Sequence, residues 1–344
     1  MIISGWGRNK YIKPKSIFYP RNNSAILDFF KKKEIKNIIP RGKARSYGDS
    51  ALAEYIISLD KYFKFIKLDQ RTGYLECSCN ISIEELNEYT INKGWFLNVS
   101  SGTKFVTIGG AIASDIHGKN HHVDGSFCDY LNNFKIITAE GKLFKCSKNL
   151  NRDLFKATCG GMGLTGLIIT ANIRLQKIQS SNIDVGIYKV RDLNNLLEKF
   201  ETLKHNKYLI SWIDHFSLKN NKLNSIVFTG NHSNDKILSY KSKKSIFVPS
   251  KLFKIFLKDS FVKLFNKIYF FFFFKKKSFT QSMSSFFYPL DLIKNWNELY
   301  GKKGFVQIQL LIKKKPYITI KKILSFFYKK KKNILFDYFK KTWS

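Results

Sequence analysis

Acidic residues are scarce in this chain: 25 Asp and Glu face 60 Lys and Arg across 344 residues, for a formal net charge of +35. A surplus of that size ordinarily points to nucleic acid or an anionic membrane surface. Arginine is scarce too, with eight in the chain, and the lysines rise together with Phe, Ile and Asn. Coding bias toward A and T explains that pattern better than selection for polyanions, and it leaves room for an acidic or phosphorylated substrate. No uncharged apolar run of about 18 residues occurs, which argues against a spanning helix. The opening MIISGWGRNK has no apolar stretch of the secretory kind. The five cysteines (Cys77, Cys79, Cys128, Cys146, Cys159) are odd in number and show no metal-type spacing beyond one C-x-C. That usage fits a reducing compartment and a cytoplasmic chain, with a peripheral place at the inner face of the membrane as an option.

The chain is long enough for two substantial cores. In residues 1 to 97, NIIP (37 to 40), YIISLD and YLECSC have strand character, and Ser82 with Glu85 forms a capping box for a helix that ends at Gly94. Cys77 and Cys79 lie two apart on a strand, share a face and pack. Residues 98 to 178 hold a glycine-dense segment, two strand runs about the A-E-G turn of KIITAEGKLFKCS, a short helix near Asp153 to Ala157, and the strand LIITANIRL. From about 180, Asp192 caps a helix with Leu193, Leu196, Leu197, Phe200 and Leu203 on one face. YLISWIDHF, NSIVFTG, GFVQIQLLI (304 to 312) and ILFDYF (334 to 339) read as strands, and ITIKKILSFFY (318 to 328) as a helix. The fold class is α+β, with an antiparallel sheet in the second part. Between 246 and 277, bulky apolar residues alternate with Lys and end in five Phe followed by three Lys. Two readings stay open there, a membrane-interface segment and a core helix enriched by composition.

Three glycine-containing loops carry the chemistry: RGKARSYGDS (41 to 50), SGTKFVTIGGAIASDIHG (101 to 118) and GGMGLTG (160 to 166). None is a P-loop, and the third precedes a strand where a Rossmann loop would follow one. Glycine permits close backbone approach, and exposed N–H groups in such loops cradle phosphates. A cluster of His117, Lys119, Asn120, His121 and His122 adjoins the second loop. It contains no acidic partner, so it is not read as a metal site.

In this order the blocks GWGR (5 to 8), RGKARSYGDSAL (41 to 52), SGTKFVTIGGAIASDIHGKNHHVDGSF (101 to 127), LFKATCGGMGLTGLI (154 to 168), FFYPLD (286 to 291) and GFVQIQLLI resemble the FAD-linked oxidases of the vanillyl-alcohol-oxidase type. Within them the DIHGKNHH segment is similar to the decaprenylphosphoryl-ribose oxidases. The resemblance covers nearly the whole chain. It implies a bipartite FAD-binding domain over 1–178, in parts of about 1–97 and 98–178, followed by a substrate domain over 179–344. It implies that Arg41, Gly42, Lys43, Ala44, Arg45, Ser46, Tyr47, Gly48 and Asp49 embrace the FAD pyrophosphate together with Thr107, Ile108, Gly109 and Gly110. Gly102 and Thr103 belong to the same cofactor set. Ser114, Asp115, Ile116 and His117 run along the isoalloxazine, and Ile168 presents backbone to the adenine end. Tyr47 stands where many relatives attach a histidine to the flavin, so the FAD is expected to be noncovalent.

The resemblance further implies oxidation of a secondary alcohol on a sugar, with hydride passing to the flavin. His117 is the first choice for the base, since a histidine beside the flavin has the right basicity and reach. Lys119 and Asn120 are candidates for a phosphate or sugar hydroxyls, with Lys119 also counted at the catalytic centre. Gln307 and Gln309, two apart on a strand, face one way and can bind a polyol, and Trp212 can wall the pocket. The implied partners are a polyprenyl-phosphate sugar and a separate NAD(P)H-dependent ketoreductase, the pair converting ribosyl to arabinosyl groups for a cell wall. No nucleic acid is expected. Alternatives are an aldonolactone or alditol oxidase on the same scaffold, and a noncatalytic FAD-, membrane- or polyanion-binding remnant. Ala44 replaces a usual glycine and Tyr288 a usual histidine. Relatives run on beyond this point with a Tyr and a Lys that reach the site, so the substrate domain reads as truncated.

Overall fold

Leu75 and Cys77 alternate with Tyr74 and Glu76, and this period of two buries one side of the strand on which the largest sheet is built. The computed structural model describes residues 1–31, 37–219, 222–247, 249, 258–273, 277–310, 316–329 and 337–339. Near the N-terminus β1 (Ile3–Ser4) pairs with β2 (Tyr11–Ile12), and β3 (Ser16–Phe18), β4 (Ile38–Pro40) and β5 (Tyr55–Ile57) form a small parallel sheet in the order β3-β5-β4. Helix α1 (Asn23–Lys31) buries Ile26 beside Ile57 and Ile169. The largest sheet is antiparallel, in the order β10-β9-β11-β7-β6: β6 (Ile66–Leu68), β7 (Tyr74–Ser78), β9 (Leu131–Ile137), β10 (Leu143–Ser147) and β11 (Leu167–Lys177). β8 (Trp95–Leu97) pairs with the end of β11.

Helix α2 (Ile83–Thr90) has the reciprocal Ser82–Glu85 capping box, and Gly94 ends the following turn with φ 77°. Helices α3 (Ile108–Ala113), α4 (His121–Asp124) and α5 (Arg152–Thr158) complete the part before residue 178. The KIITAEGKLFKCS hairpin is present as β9 and β10.

A second antiparallel sheet has the order β16-β12-β14-β13-β18: β12 (Asn182–Asp192), β13 (Tyr208–Lys219), β14 (Lys222–His232), β16 (Ser278–Ser282) and β18 (Asp337–Phe339). Asp192 caps α6 (Leu193–Thr202) by accepting from the Asn195 amide at 2.8 Å. Leu193, Leu196 and Phe200 of α6 pack with Leu209, Ile213 and Ile320, the last from α9 (Pro316–Lys329). A different cluster on the sheet, Ile187, Trp212 and Ile226, receives α7 (Asp259–Phe272) through Tyr269 and Phe270. Helix α8 (Met283–Phe287) follows β16, and β15 (Ile246–Phe247) pairs with β17 (Ile293–Lys294). The fold is a mixture of helices and sheets, with both large sheets antiparallel. The two regions share one continuous core, in which Tyr208, Phe286, Phe287 and Tyr288 join Phe96, Ile112 and Ile183.

One expectation is corrected. GFVQIQLLI alternates like a strand, yet 304–310 makes no ladder among the described residues: Phe305 donates to Gly7 O at 2.8 Å, and Val306, Ile308 and Leu310 are exposed. Alternation needs a neighbouring strand to become a sheet, and here the segment passes over a cavity instead. The basic aromatic stretch is in part a helix with one face on the sheet and the other exposed. Its residues 248, 250–257 and 274–276 lie outside the described residues, as do 311–312 and 334–336 of the two late strand readings.

Candidate cofactor and active site

A cavity of about 1670 Å³ runs beneath the three glycine loops. It exceeds the roughly 300–1,000 Å³ of a site for one small ligand, so it has room for a dinucleotide together with a substrate. Its first wall is the loop after β4. Arg41 continues the sheet by donating its amide to Ile57 O at 2.9 Å. The backbone amides from Gly42 to Gly48 then find no protein acceptor among the described residues. Such a run of donors needs an anion or water. Gly42 cannot carry a side chain, because a Cβ there would meet Thr107 Oγ1 at 2.5 Å. Ser46 Oγ and Arg45 Nε are buried without a partner in the same wall. The Arg45 guanidinium lies 3.9 Å from the Trp6 ring centroid and 4.9 Å from that of Phe105. Desolvation lowers its pKa, against the pull of Asp291 and Glu84.

The second loop departs from expectation. Ile108 donates its amide to Ile81 O at 2.8 Å, Gly109 to Cys79 O at 2.9 Å, and Gly110 to the Thr107 side chain at 3.2 Å. The start of α3 is therefore already hydrogen-bonded and has no amide to offer a pyrophosphate there; Thr107 and Gly109 contribute shape, and Ile108 is a core residue. Arg41 is likewise committed, donating to Ala51 O at 3.0 Å and Ser4 O at 2.8 Å. Lys43 reaches outward to Asp60 at 2.7 Å, and Asp49 is paired with Lys10 and lies outside the lining, as does Gly48. In the first loop the anion donors that face the cavity are thus those of 42–47.

Gly102, Thr103, Ser114, Ile116 and Ile168 line the cavity as expected. Asp115 does not: its carboxylate accepts from Cys128 N at 2.9 Å and Ser126 Oγ at 2.9 Å, at a left-handed φ of 38°. It shapes the bend that brings His117 to the wall. Ala44 also sits in the left-handed region, at φ 52°. Tyr47 packs its ring against Phe305 (5.0 Å) and Trp296 (6.2 Å), and burial raises its pKa.

His117, Lys119, Gln307 and Gln309 meet in the same cavity. Gln309 Nε2 lies 2.5 Å from His117 Nε2, and His121 stacks edge-on at 5.7 Å. The Lys119 ammonium donates to Phe287 O at 3.3 Å and lies 5.6 Å from the Phe286 ring. Its depth lowers its pKa to about 8. The segment is tied to the second sheet, since Leu209 donates to Lys119 O at 3.0 Å and His122 meets Asn206 O at 3.0 Å.

Two substrate candidates are corrected. Asn120 is 1% exposed and turns inward, donating to Asn98 O at 2.6 Å and to Asp124. Trp212 packs on Tyr269 at 5.0 Å and does not reach the cavity. Tyr288 also lies outside it, buried between Ser100 Oγ (2.7 Å) and Asn87 Nδ2 (2.9 Å).

Sequence reasoning passed over the aromatic wall of Trp6, Trp296 and Tyr300, for which GWGR gave only a partial signal. It also passed over Asp291 as a site residue. This carboxylate accepts from Lys104 N at 2.7 Å and Thr103 Oγ1 at 2.8 Å and so fixes the 101–104 wall from the second part of the chain. Desolvation raises its pKa. The residues FFYPLD were noted, but nothing in their spacing told which of them would turn toward residue 103.

A family described as an FAD binding domain matches residues 14–147. The chain is 28% identical over 304 residues to decaprenylphosphoryl-β-D-ribose oxidase of Mycolicibacterium smegmatis, covering 84% of this chain and 66% of that protein. It is 24% identical over 225 residues to D-arabinono-1,4-lactone oxidase of Debaryomyces hansenii (61% and 38%). It is also 24% identical over 220 residues to L-gulonolactone oxidase of Scyliorhinus torazame (62% and 49%). The chain spans about two thirds or less of the length of these curated relatives. The unpaired amides of 42–47, the cradle kept open at Gly42 and the size of the cavity fit a dinucleotide. Residues 14–147 are an FAD binding domain, and the cofactor of this chain is FAD.

Proposed function

We propose that this chain oxidises a secondary alcohol of a sugar to a ketone, and that its substrate is a polyprenyl-phosphoryl ribose oxidised at the 2′-hydroxyl. The observation that carries the reading is the convergence of His117, Lys119 and Gln309 in the cavity that residues 42–47 also line. FAD, when bound, supplies the hydride acceptor. The 42–47 amides hold its pyrophosphate. Burial keeps the Tyr47 phenol protonated and its ring packs on Phe305 and Trp296, so it is a poor nucleophile toward the flavin and the cofactor stays noncovalent. His117 receives the hydroxyl proton at Nε2, where the substrate hydroxyl takes the place of the Gln309 amide that this lone pair otherwise accepts from. Lys119, charged below about pH 8, holds the phosphate of the substrate. The exposed apolar side chains of Val306, Ile308 and Leu310 at the cavity offer an apolar path for a lipid tail. The ketone is then passed to a separate NAD(P)H-dependent ketoreductase. The similarity to the M. smegmatis oxidase supports the sugar-lipid substrate.

The similarity to the two lactone oxidases supports a second reading, oxidation of a soluble aldonolactone. Anaerobic titration separates them. Bleaching of the flavin bands by a polyprenyl-phosphoryl ribose and not by lactones supports the first; bleaching by lactones alone supports the second. Bands that neither substrate bleaches would leave a cofactor-binding protein and overturn both. Acid precipitation should release all the flavin, and a yellow pellet would refute the noncovalent reading.

A further inference from the structure

We propose that the outward face of α7 is a docking surface for an anionic phospholipid bilayer. The helix is two-sided. Val262 (6% exposed) and Asn266 (4%) point inward, and Asn266 donates to Asp214 at 2.7 Å. Tyr269 completes that side against Trp212. On the other side Leu264 is 55% exposed, Ile268 59% and Phe271 74%, with Phe265 beside them at 42%. The spacing i, i+4, i+7 sets these three on one line along the helix. Core packing does not require that line, because the sheet is met by the opposite side.

The charges select the occupant. Lys258, Lys263 and Lys267 are exposed on or next to the same helix, and the only acidic residue in it is Asp259 in the first turn. An apolar stripe edged with lysines matches acyl chains beneath anionic headgroups, the lysine stems lying along the boundary with their ammonium groups outward. A second copy of the chain fits less well. Pairing about a two-fold axis would set the same lysines against each other on a protein of net charge +35. A polyphosphate would use the lysines and leave the stripe in water. At 14 residues the helix is about 21 Å long, too short to cross a bilayer, and among the described residues no helix is long and apolar enough to do so. It would therefore lie in the plane of the interface. The inference stands independently of the substrate.

Flotation of the full chain with vesicles tests it. Vesicles of phosphatidylcholine with about a third phosphatidylglycerol should carry the protein upward, and pure phosphatidylcholine should carry far less. Leu264→Glu and Ile268→Glu should each lower the bound fraction about tenfold, with the circular dichroism spectrum unchanged because both side chains are already in solvent. Absence of flotation would overturn the proposal. So would variants that float as well as the parent, which would reduce the binding to general charge. Variants that lose a dimer on size-exclusion chromatography without any effect on flotation would assign the face to a second copy instead.

Discussion

Gln309 Nε2 stands 2.5 Å from His117 Nε2, bringing the segment over the cavity into contact with the histidine of the second glycine loop. An amide nitrogen only donates, so the His117 Nε2 lone pair accepts from Gln309 here and the ring proton sits on Nδ1. Gln309→Ala should leave FAD affinity unchanged and slow anaerobic flavin reduction about tenfold, since one hydrogen bond orienting the base is lost. His117→Ala should slow it by about 10²-fold or more. Stopped-flow absorbance reads both. Equal rates in parent and His117→Ala would remove His117 from the reaction.

Lys119 gives the site a pH dependence. Its pKa in the fold, about 8, lies below the ordinary 10.5 because its ammonium is desolvated. Where the unfolded chain binds more protons than the fold, stability rises with pH, so this residue opposes folding below about pH 8 and its penalty fades between about 8 and 10.5. Affinity for a phosphorylated substrate should run the other way, weakening as pH climbs through about 8. Lys119→Met should raise Tm at neutral pH, raise KM sharply and flatten the pH dependence of KM between 7 and 9. A Tm that falls on this substitution would mean that Lys119 is held by partners stronger than the Phe287 carbonyl.

The first loop contains a matched pair of opposite expectations. Gly42→Ala forces a Cβ to within 2.5 Å of Thr107 Oγ1, and should weaken FAD binding by an order of magnitude or more by moving the amide run away from the phosphates. Ala44 already pays for a left-handed φ of 52°. Ala44→Gly should relieve about 1 kcal/mol of strain and lose somewhat less through the freer unfolded chain, for a net gain of a few tenths to about 0.5 kcal/mol. Urea midpoints and flavin fluorescence titration measure the two effects. A clear loss of stability in Ala44→Gly would show that the alanine methyl packs productively.

Much of this could be read from residues alone because the deciding interactions are local. The Ser82–Glu85 box, the Asp192 cap and the β9–β10 hairpin need only neighbours a few positions away. What failed needed distant partners. The alternation in 304–310 is the signature of a strand, but no described strand lies alongside to pair with it. Arg41 and Arg45 look alike in RGKAR; one is taken up by the carbonyls of Ser4 and Ala51, the other by the Trp6 and Phe105 rings. Asn120 carries the same amide as Gln309, yet the bend held by Asp115 turns it inward. Composition is silent on such choices.

Asp291 joins the two halves of the cavity and yields the last expectation. Its two oxygens take the Lys104 amide and the Thr103 hydroxyl, and no other described residue accepts from either. Asp291→Ala should leave both donors unpaired near the buried Lys104–Glu84 ion pair, costing about 1–3 kcal/mol. Asp291→Asn keeps one acceptor and should recover part of that loss. The carboxylate is held above its ordinary pKa by desolvation, with the Lys104 amide and the Thr103 hydroxyl pulling against that rise. A raised folded pKa means that the fold binds more protons than the unfolded chain between the two values, so this group opposes folding above its folded pKa and the penalty shrinks as pH falls toward 3.8. The parent should therefore lose less stability between pH 6 and 4 than Asp291→Asn, which cannot titrate there. Chemical denaturation at both pH values checks the sign, and a steeper loss in the parent would place the carboxylate with the stabilising ones.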